Sequence, residues 1–221
     1  MKVCTDSCLF GAWVADKIEK KIIQPAKILD IGSGTGLLSL MMAQKFAGVI
    51  DAIEINENSF SQTMENFMQS PWGKRLKAFH EDTMVWNSSE KYDFIISNPP
   101  FFENNLLSPD QDRSQTKHST TLTLEGLLES IKNLLKSHGN FALLLPLHRV
   151  QYVKTLAVVK EFYLQEELLI KQTPRHSYFR GILLFGTEPV SAIHDELIIK
   201  GNDGNYSVPF ENLLKDYYLN F

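Results

Sequence analysis

Short apolar runs alternating with stretches of helical periodicity constrain this chain more than any other feature. Lys27–Ile31 (KILDI), Val49–Ile53 (VIDAI), Leu76–Phe79, Tyr92–Ser97 (YDFIIS) and Phe141–Leu145 have strand length and read as buried strands. Between them lie helical patterns. Gly36–Phe46 spaces Leu37, Leu40 and Met41 as a helix does, and Phe60, Met64 and Phe67 share one helical face further on. Thr123–Lys136 is amphipathic through Leu124, Leu127, Leu128, Ile131, Leu134 and Leu135, with Gly139 placed as a helix C-terminal glycine. His148–Lys160 predicts a helix, Leu164–Ile170 and Ile182–Phe185 a last pair of strands, and Ser207–Tyr218 a closing short helix. Strand–helix units repeated in this way specify an α/β protein with a doubly wound, mostly parallel sheet. At 221 residues, one domain spanning 1–221 buries enough surface to need no disulfide or metal staple.

Composition removes several function classes. With 43% hydrophobic and 22% charged residues the chain is an ordinary globular one, and no apolar stretch is long enough to span a membrane. Asp6 interrupts the segment where a signal peptide would be apolar. Cys4 and Cys8 stand without a Cys or His cluster, which disfavours a disulfide scaffold and a metal site and fits a reducing, cytoplasmic compartment. Both are expected to be small buried residues. The net charge of −4 excludes a strongly basic nucleic-acid coat protein but not a local basic patch. Residues 147–180 carry Arg149, Lys154, Lys160, Lys171, Arg175 and Arg180 against three glutamates, which is either a solvated face or a polyanion contact.

Three motifs carry chemistry. Asp30-Ile31-Gly32-Ser33-Gly34-Thr35-Gly36 sits at a strand-to-helix junction, where glycines allow a sharp turn and close approach of a ligand. Its G-x-G-x-G spacing departs from the dinucleotide fingerprint, because Leu37 occupies the position of the third glycine of that pattern. The loop instead resembles the S-adenosylmethionine (SAM) loop of class I methyltransferases. Glu54 ends the second strand and is placed to accept hydrogen bonds from both ribose hydroxyls. Asp82, after the third strand, is either an acceptor for an adenine amino group or a helix cap. Asn98-Pro99-Pro100-Phe101 follows the fourth strand. Two prolines fix φ and withhold two amide donors, leaving the Asn98 side chain and the Pro99 carbonyl as directed acceptors. Two acceptors holding both N–H bonds of a conjugated amine turn its lone pair toward an electrophile, while Phe101 supplies a stacking face. This tetrapeptide resembles the signature of methyltransferases acting on amino or amide nitrogens.

The runs MKVCTDSCLFGAW, LDIGSGTGLLSLMMAQ, SPWGKRL, FIISNPPFF and DGNYS together resemble the bacterial tRNA1(Val) adenine-37 N6-methyltransferase family, from residue 2 to near residue 221. The resemblance implies a Rossmann-like class I fold with an antiparallel final strand, SAM as methyl donor and S-adenosylhomocysteine as product. It also implies a substrate: the exocyclic amine of the adenosine 3′ of a tRNA anticodon. Carried over by position, Thr5 and Asp6 lie near the methionine end of SAM. Asp30, Gly32, Ser33 and Gly34 form the cofactor loop, Glu54 is the ribose acceptor and Asp82 the adenine contact. Asn98, Pro99, Pro100 and Phe101 form the target-amine site, and Asn98 also borders the cofactor. Phe101 stands where a tyrosine is common, and either ring can stack.

The irregular stretch from Phe101 to about Thr121 is too long for a plain connector and carries Arg113 and Lys117. It is expected to order over the substrate, with Arg149, Lys171, Arg175 and Arg180 contacting phosphates of an anticodon loop. No membrane partner and no metal is expected, and the sequence leaves the oligomeric state open, compatible with a monomer. Two rivals share the tetrapeptide logic. A protein glutamine N5-methyltransferase usually has a helical domain ahead of the glycine loop, whereas only 29 residues precede Asp30. An adenine-N6 enzyme acting on another RNA or on DNA is the second, although no inserted target-recognition domain is evident. A non-catalytic SAM-binding module predicts a defective tetrapeptide, and this one is complete.

Overall fold

The computed structural model describes residues 4–86, 88, 90–99 and 122–220. Among these, eight strands form one sheet: β1 (Lys27–Ile31), β2 (Val49–Glu54), β3 (Leu76–His80), β4 (Tyr92–Ser97), β5 (Leu135–Pro146), β6 (Tyr163–Lys171), β7 (Tyr178–Gly186) and β8 (Ile193–Ile198). Six helices accompany them: α1 (Thr5–Glu19), α2 (Leu37–Ala43), α3 (Glu57–Gln69), α4 (Leu124–Leu134), α5 (Leu147–Val159) and α6 (Val208–Leu214). The strand order is β3-β2-β1-β4-β5-β7-β6-β8. Each of β1 to β5 runs parallel to its neighbours within that group, β7 is antiparallel to both β5 and β6, and β8 is parallel to β6.

Alternation along each strand divides the core. Ile28, Ile50 and Phe94 point to the face covered by α1, α2, α3 and α6, through Phe10, Met42, Phe67 and Phe210. Leu29, Ile31, Ile53 and Ile95 point to the face covered by α4 and α5, through Leu127, Ile131, Val150 and Val153. A parallel sheet needs helices on both faces, and the chain supplies them.

Three expectations require correction. The antiparallel strand is β7, not the last one; β8 follows it and adds a parallel edge. Its sequence, Ile193-His194-Asp195-Glu196-Leu197-Ile198, is exposed over its first four residues, so no hydrophobic pattern marks it. Gly139 does not cap a helix. The chain passes straight from α4 into β5, and Gly139 lies where the β4–β5 register jumps from Tyr92↔Leu135 to Phe94↔Asn140. A Cβ there would meet Leu135 Cγ at 2.6 Å and the Asp93 carbonyl at 3.1 Å, so close packing explains the glycine. Cys8 is buried as expected, but Cys4 is exposed, because it precedes the first turn of α1.

The topology also locates the crevice. From β1 the chain crosses to β2 on one side and later pairs with β4 on the other, which opens a cleft at the carboxyl ends of these strands. Register aligns those ends: Ile31 lies beside Ile53 and Ser97, and Glu54 beside His80.

Candidate functional site

The turn after β1 is built from left-handed glycines. Gly32, Gly34 and Gly36 have φ of 70°, 60° and 77°, a region that costs other residues energy. The turn is fixed to β2, since the Gly32 and Ser33 amides both donate to the Ile53 carbonyl at 2.9 and 3.1 Å. From α3, the Thr63 hydroxyl and the Asn66 side-chain amide donate to the Gly34 and Thr35 carbonyls, each at 2.8 Å. Gly36 packs inward, where a Cβ would lie 2.7 Å from the Phe67 ring. Gly32 faces the other way, with nothing within 4 Å of the place a Cβ would take. The loop therefore presents bare backbone to the cleft.

The polar groups around this surface are incompletely used. Asp30 is fully buried; its Oδ2 accepts from the Ser39 amide at 3.2 Å and the Ser39 hydroxyl at 2.7 Å, while Oδ1 has no partner among the described residues. Burial pushes this carboxyl up to about 7, against the pull of the two Ser39 bonds and helped by the negative charge of Glu54. The buried Ser33 hydroxyl is likewise without a partner among the described residues. Buried polar atoms are normally paired, so two orphans beside an open glycine fit a polar ligand laid across the loop. These residues fit SAM: a flat backbone surface and acceptors for its hydroxyl and amino groups.

Glu54 is mostly buried and organises the rim. Its Oε2 accepts from the Gly34 amide and its Oε1 from the Asn56 amide, both at 2.8 Å. Asp82 Oδ1 accepts from the Met84 amide at 2.9 Å, and its carbonyl accepts from Val85 and Trp86, so it caps the turn after β3. Sequence reasoning missed two apolar neighbours. Ile55 is 52% exposed directly after Glu54, and Met84 is 47% exposed two residues after Asp82. The Ile55 carbonyl is held by the His80 ring at 3.0 Å, and that ring stacks on Phe60. An apolar residue close behind each of these acids was the available signal.

At the end of β4, Asn98 Nδ2 donates to the Ser7 hydroxyl of α1 at 2.9 Å, and Pro99 is buried. Pro100 and Phe101 lie outside the described residues, as do Arg113 and Lys117. Thr5 and Asp6 stand in the first turn of α1, adjacent in sequence to Ser7. Asp6 Oδ1 accepts from the Ser7 amide at 3.1 Å, and Oδ2 pairs with Arg180 Nε at 2.8 Å. The Thr5 side chain hydrogen-bonds with Tyr218, whose hydroxyl burial pushes up to about 12.

The basic residues divide. The Arg180 guanidinium is engaged by Asp6, and Lys171 by Glu196 at 3.2 Å and by the Tyr178 ring at 4.3 Å, so their charge is offset within the fold. Arg149 and Arg175 make no ion pair with a described residue, and Arg175 is exposed in the turn between β6 and β7. Among the described residues no group of three or more His, Cys, Asp or Glu is placed to hold a metal ion, and no helix is long and apolar enough to cross a membrane.

Comparison with known proteins agrees with this geometry. Residues 11–167 match the family described as Methyltransferase small domain. A Bacteroides thetaiotaomicron protein named tRNA1(Val) (adenine(37)-N6)-methyltransferase is 37% identical over 99% of this chain and 91% of its own. A protein of the same name from Dyadobacter fermentans is 39% identical over 100% and 92%. Among solved structures, a predicted O-methyltransferase from Agrobacterium tumefaciens superposes with a TM-score of 0.73 at 15% identity, covering 95% of each chain. A putative class I SAM-dependent methyltransferase from Listeria monocytogenes gives 0.64 at 16% identity, over 86% of this chain and 64% of the other. The last two show the fold alone.

Proposed function

The chain belongs to the tRNA1(Val) (adenine(37)-N6)-methyltransferase family, and from that premise we propose that it methylates N6 of the adenosine 3′ of a valine tRNA anticodon. It is a SAM-dependent enzyme, and the whole of 1–221 works as one methyltransferase domain. A tRNA substrate puts the reaction in the cytoplasm.

The observation that carries the site assignment is Asn98. It stands at the end of β4, one strand from the glycine loop of β1, and its Oδ1 takes no hydrogen bond from any described residue. Bound SAM supplies a methyl group on a positively charged sulfur. Gly32, Ser33 and Gly34 would cradle it, Glu54 would accept from its ribose hydroxyls, and Ile55 and Met84 would cover its adenine, with Asp82 as the adenine contact. Asn98 Oδ1 and the Pro99 carbonyl accept the two N–H bonds of the target amine. They draw it out of conjugation with the ring and aim its lone pair at the methyl carbon. Phe101, outside the described residues, would supply the stacking face for the extruded base. SAM would supply the electrophilic methyl group and leave as S-adenosylhomocysteine with the sulfur's electron pair, while the proton of the methylated amine would pass to solvent. Positioning and fixed dipoles supply the rate enhancement. Arg149 and Arg175, without an ion pair among the described residues, contact phosphates of the tRNA.

SAM-dependent methylation of unmodified total tRNA, followed by nucleoside mass spectrometry and digestion mapping, tests this. New N6-methyladenosine next to the anticodon is expected. Methyl label entering a protein pool instead would move the assignment to a glutamine N5-methyltransferase. Asn98→Ala is expected to bind SAM normally and to lose turnover by orders of magnitude.

A further inference from the structure

We propose that Ser7 is a positioning residue for methyl transfer: its hydroxyl holds the Asn98 carboxamide so that Oδ1 faces the incoming amine. The proposal rests on the role given to Asn98 above.

A carboxamide has an oxygen and an amino group of nearly equal size at its two ends, so shape alone does not choose which end faces the cleft. Facing outward, the amino group would oppose the N–H bonds of an adenine amine with hydrogens of its own. Only the oxygen-out orientation accepts from the substrate, and it requires an acceptor behind it for Nδ2. The Ser7 hydroxyl is that acceptor, at 2.9 Å, and it makes the one hydrogen bond of the Asn98 side chain among the described residues.

Ser7 is itself anchored. Its amide donates to Asp6 Oδ1, and Asp6 Oδ2 is held by Arg180 Nε. Arg180 lies on β7 opposite Pro146 at the end of β5. A continuous line of contacts therefore runs from β7 through the first turn of α1 to the end of β4. The line fixes a hydroxyl 91 residues away in sequence against the reacting amide. It also gives Asp6 and Arg180 a role that needs neither SAM nor phosphate.

The test compares wild type, Ser7→Ala, Asn98→Ala and the double variant. Ser7→Ala is expected to lower kcat roughly three- to tenfold, the value of one hydrogen bond, with the SAM Kd and the KM for tRNA unchanged. In the Asn98→Ala background the same change is expected to have no further effect, because Ser7 acts through Asn98. A Ser7→Ala kcat equal to wild type, or an equal loss in both backgrounds, would overturn the proposal and leave the assigned function standing. The Asn98 side-chain NH2 signal in a 15N spectrum, identified by its absence in Asn98→Ala, reports the contact without turnover. Its exchange with solvent should quicken in Ser7→Ala, and an unchanged rate would deny the hydrogen bond. If wild type transfers no methyl to tRNA, the assigned function fails, and a protected NH2 signal then makes the Ser7–Asn98 contact structural only.

Discussion

Replacing Asp30 by Asn removes the one fully buried carboxyl of the glycine loop and should flatten the pH dependence of stability. Asp30 is 0% exposed, has one oxygen without a partner among the described residues, and is pushed from its ordinary value of 3.8 up to about 7, chiefly by burial. A carboxyl whose folded value lies above its unfolded value stabilises the fold in its protonated form. That contribution is complete below about pH 4 and is lost as pH rises through about 7. At about 1.4 kcal/mol per pH unit, the gap between 3.8 and about 7 corresponds to about 4 kcal/mol in all. Roughly 2–3 kcal/mol of it falls between pH 5 and pH 8. In Asp30→Asn the amide oxygen still accepts from Ser39, and nothing ionises. Its Nδ2 in place of the orphan oxygen costs about 1–3 kcal/mol at every pH, so the slope carries the test and the level does not. Urea unfolding of both proteins from about pH 5 to about pH 8 measures it. Wild-type stability minus that of the variant is expected to fall by roughly 2–3 kcal/mol across that range. Parallel curves would refute the reasoning, because a carboxyl with an ordinary or depressed folded value is ionised in both states over this range and gives no slope.

Glu54→Ala leaves the Gly34 and Asn56 amides without their acceptor; it should raise the SAM Kd by roughly tenfold or more, read by calorimetry with S-adenosylhomocysteine, and an unchanged value would remove Glu54 from the cofactor site. Gly36→Ala forces a side chain into φ +77° with its Cβ 2.7 Å from the Phe67 ring, so urea unfolding should register a loss of about 2–3 kcal/mol. A loss within about 0.5 kcal/mol, the range of an innocuous surface change, would show that α3 yields freely. Methylation of tRNA should fall steeply between about 50 and 200 mM salt as phosphate contacts release counterions, and Arg149→Ala and Arg175→Ala should shallow that slope. Salt-insensitive turnover on full tRNA would sink the phosphate role.

Where the sequence was legible, one local rule decided the outcome. β1 and β4 are apolar runs of strand length, and their bounds, Lys27–Ile31 and Tyr92–Ser97, match the structure at both ends. The loop from Asp30 to Gly36 announced itself, because only glycines tolerate three left-handed turns in five residues. α1 and β8 were not legible. From Cys8 to Ala15 every residue of α1 is buried, so it lacks a polar face to set a period, and β8 is a polar edge with one buried residue. Gly139 was misread since a glycine after a helix and a glycine packed under Leu135 look alike in one dimension.

The sequence by itself determined the sheet's parallel half, the glycine turn and the identity of the acids and the amide at the strand ends, because each follows from spacing within a few residues. Only the tertiary structure decided what those groups touch. It set Ser7 against Asn98 and Asp6 against Arg180, and it left Arg149 and Arg175 without an ion pair among the described residues. Such partners are scores of residues apart. A hydrogen bond or ion pair depends on distances of about 3 Å, which strand order and register fix and which no local pattern encodes.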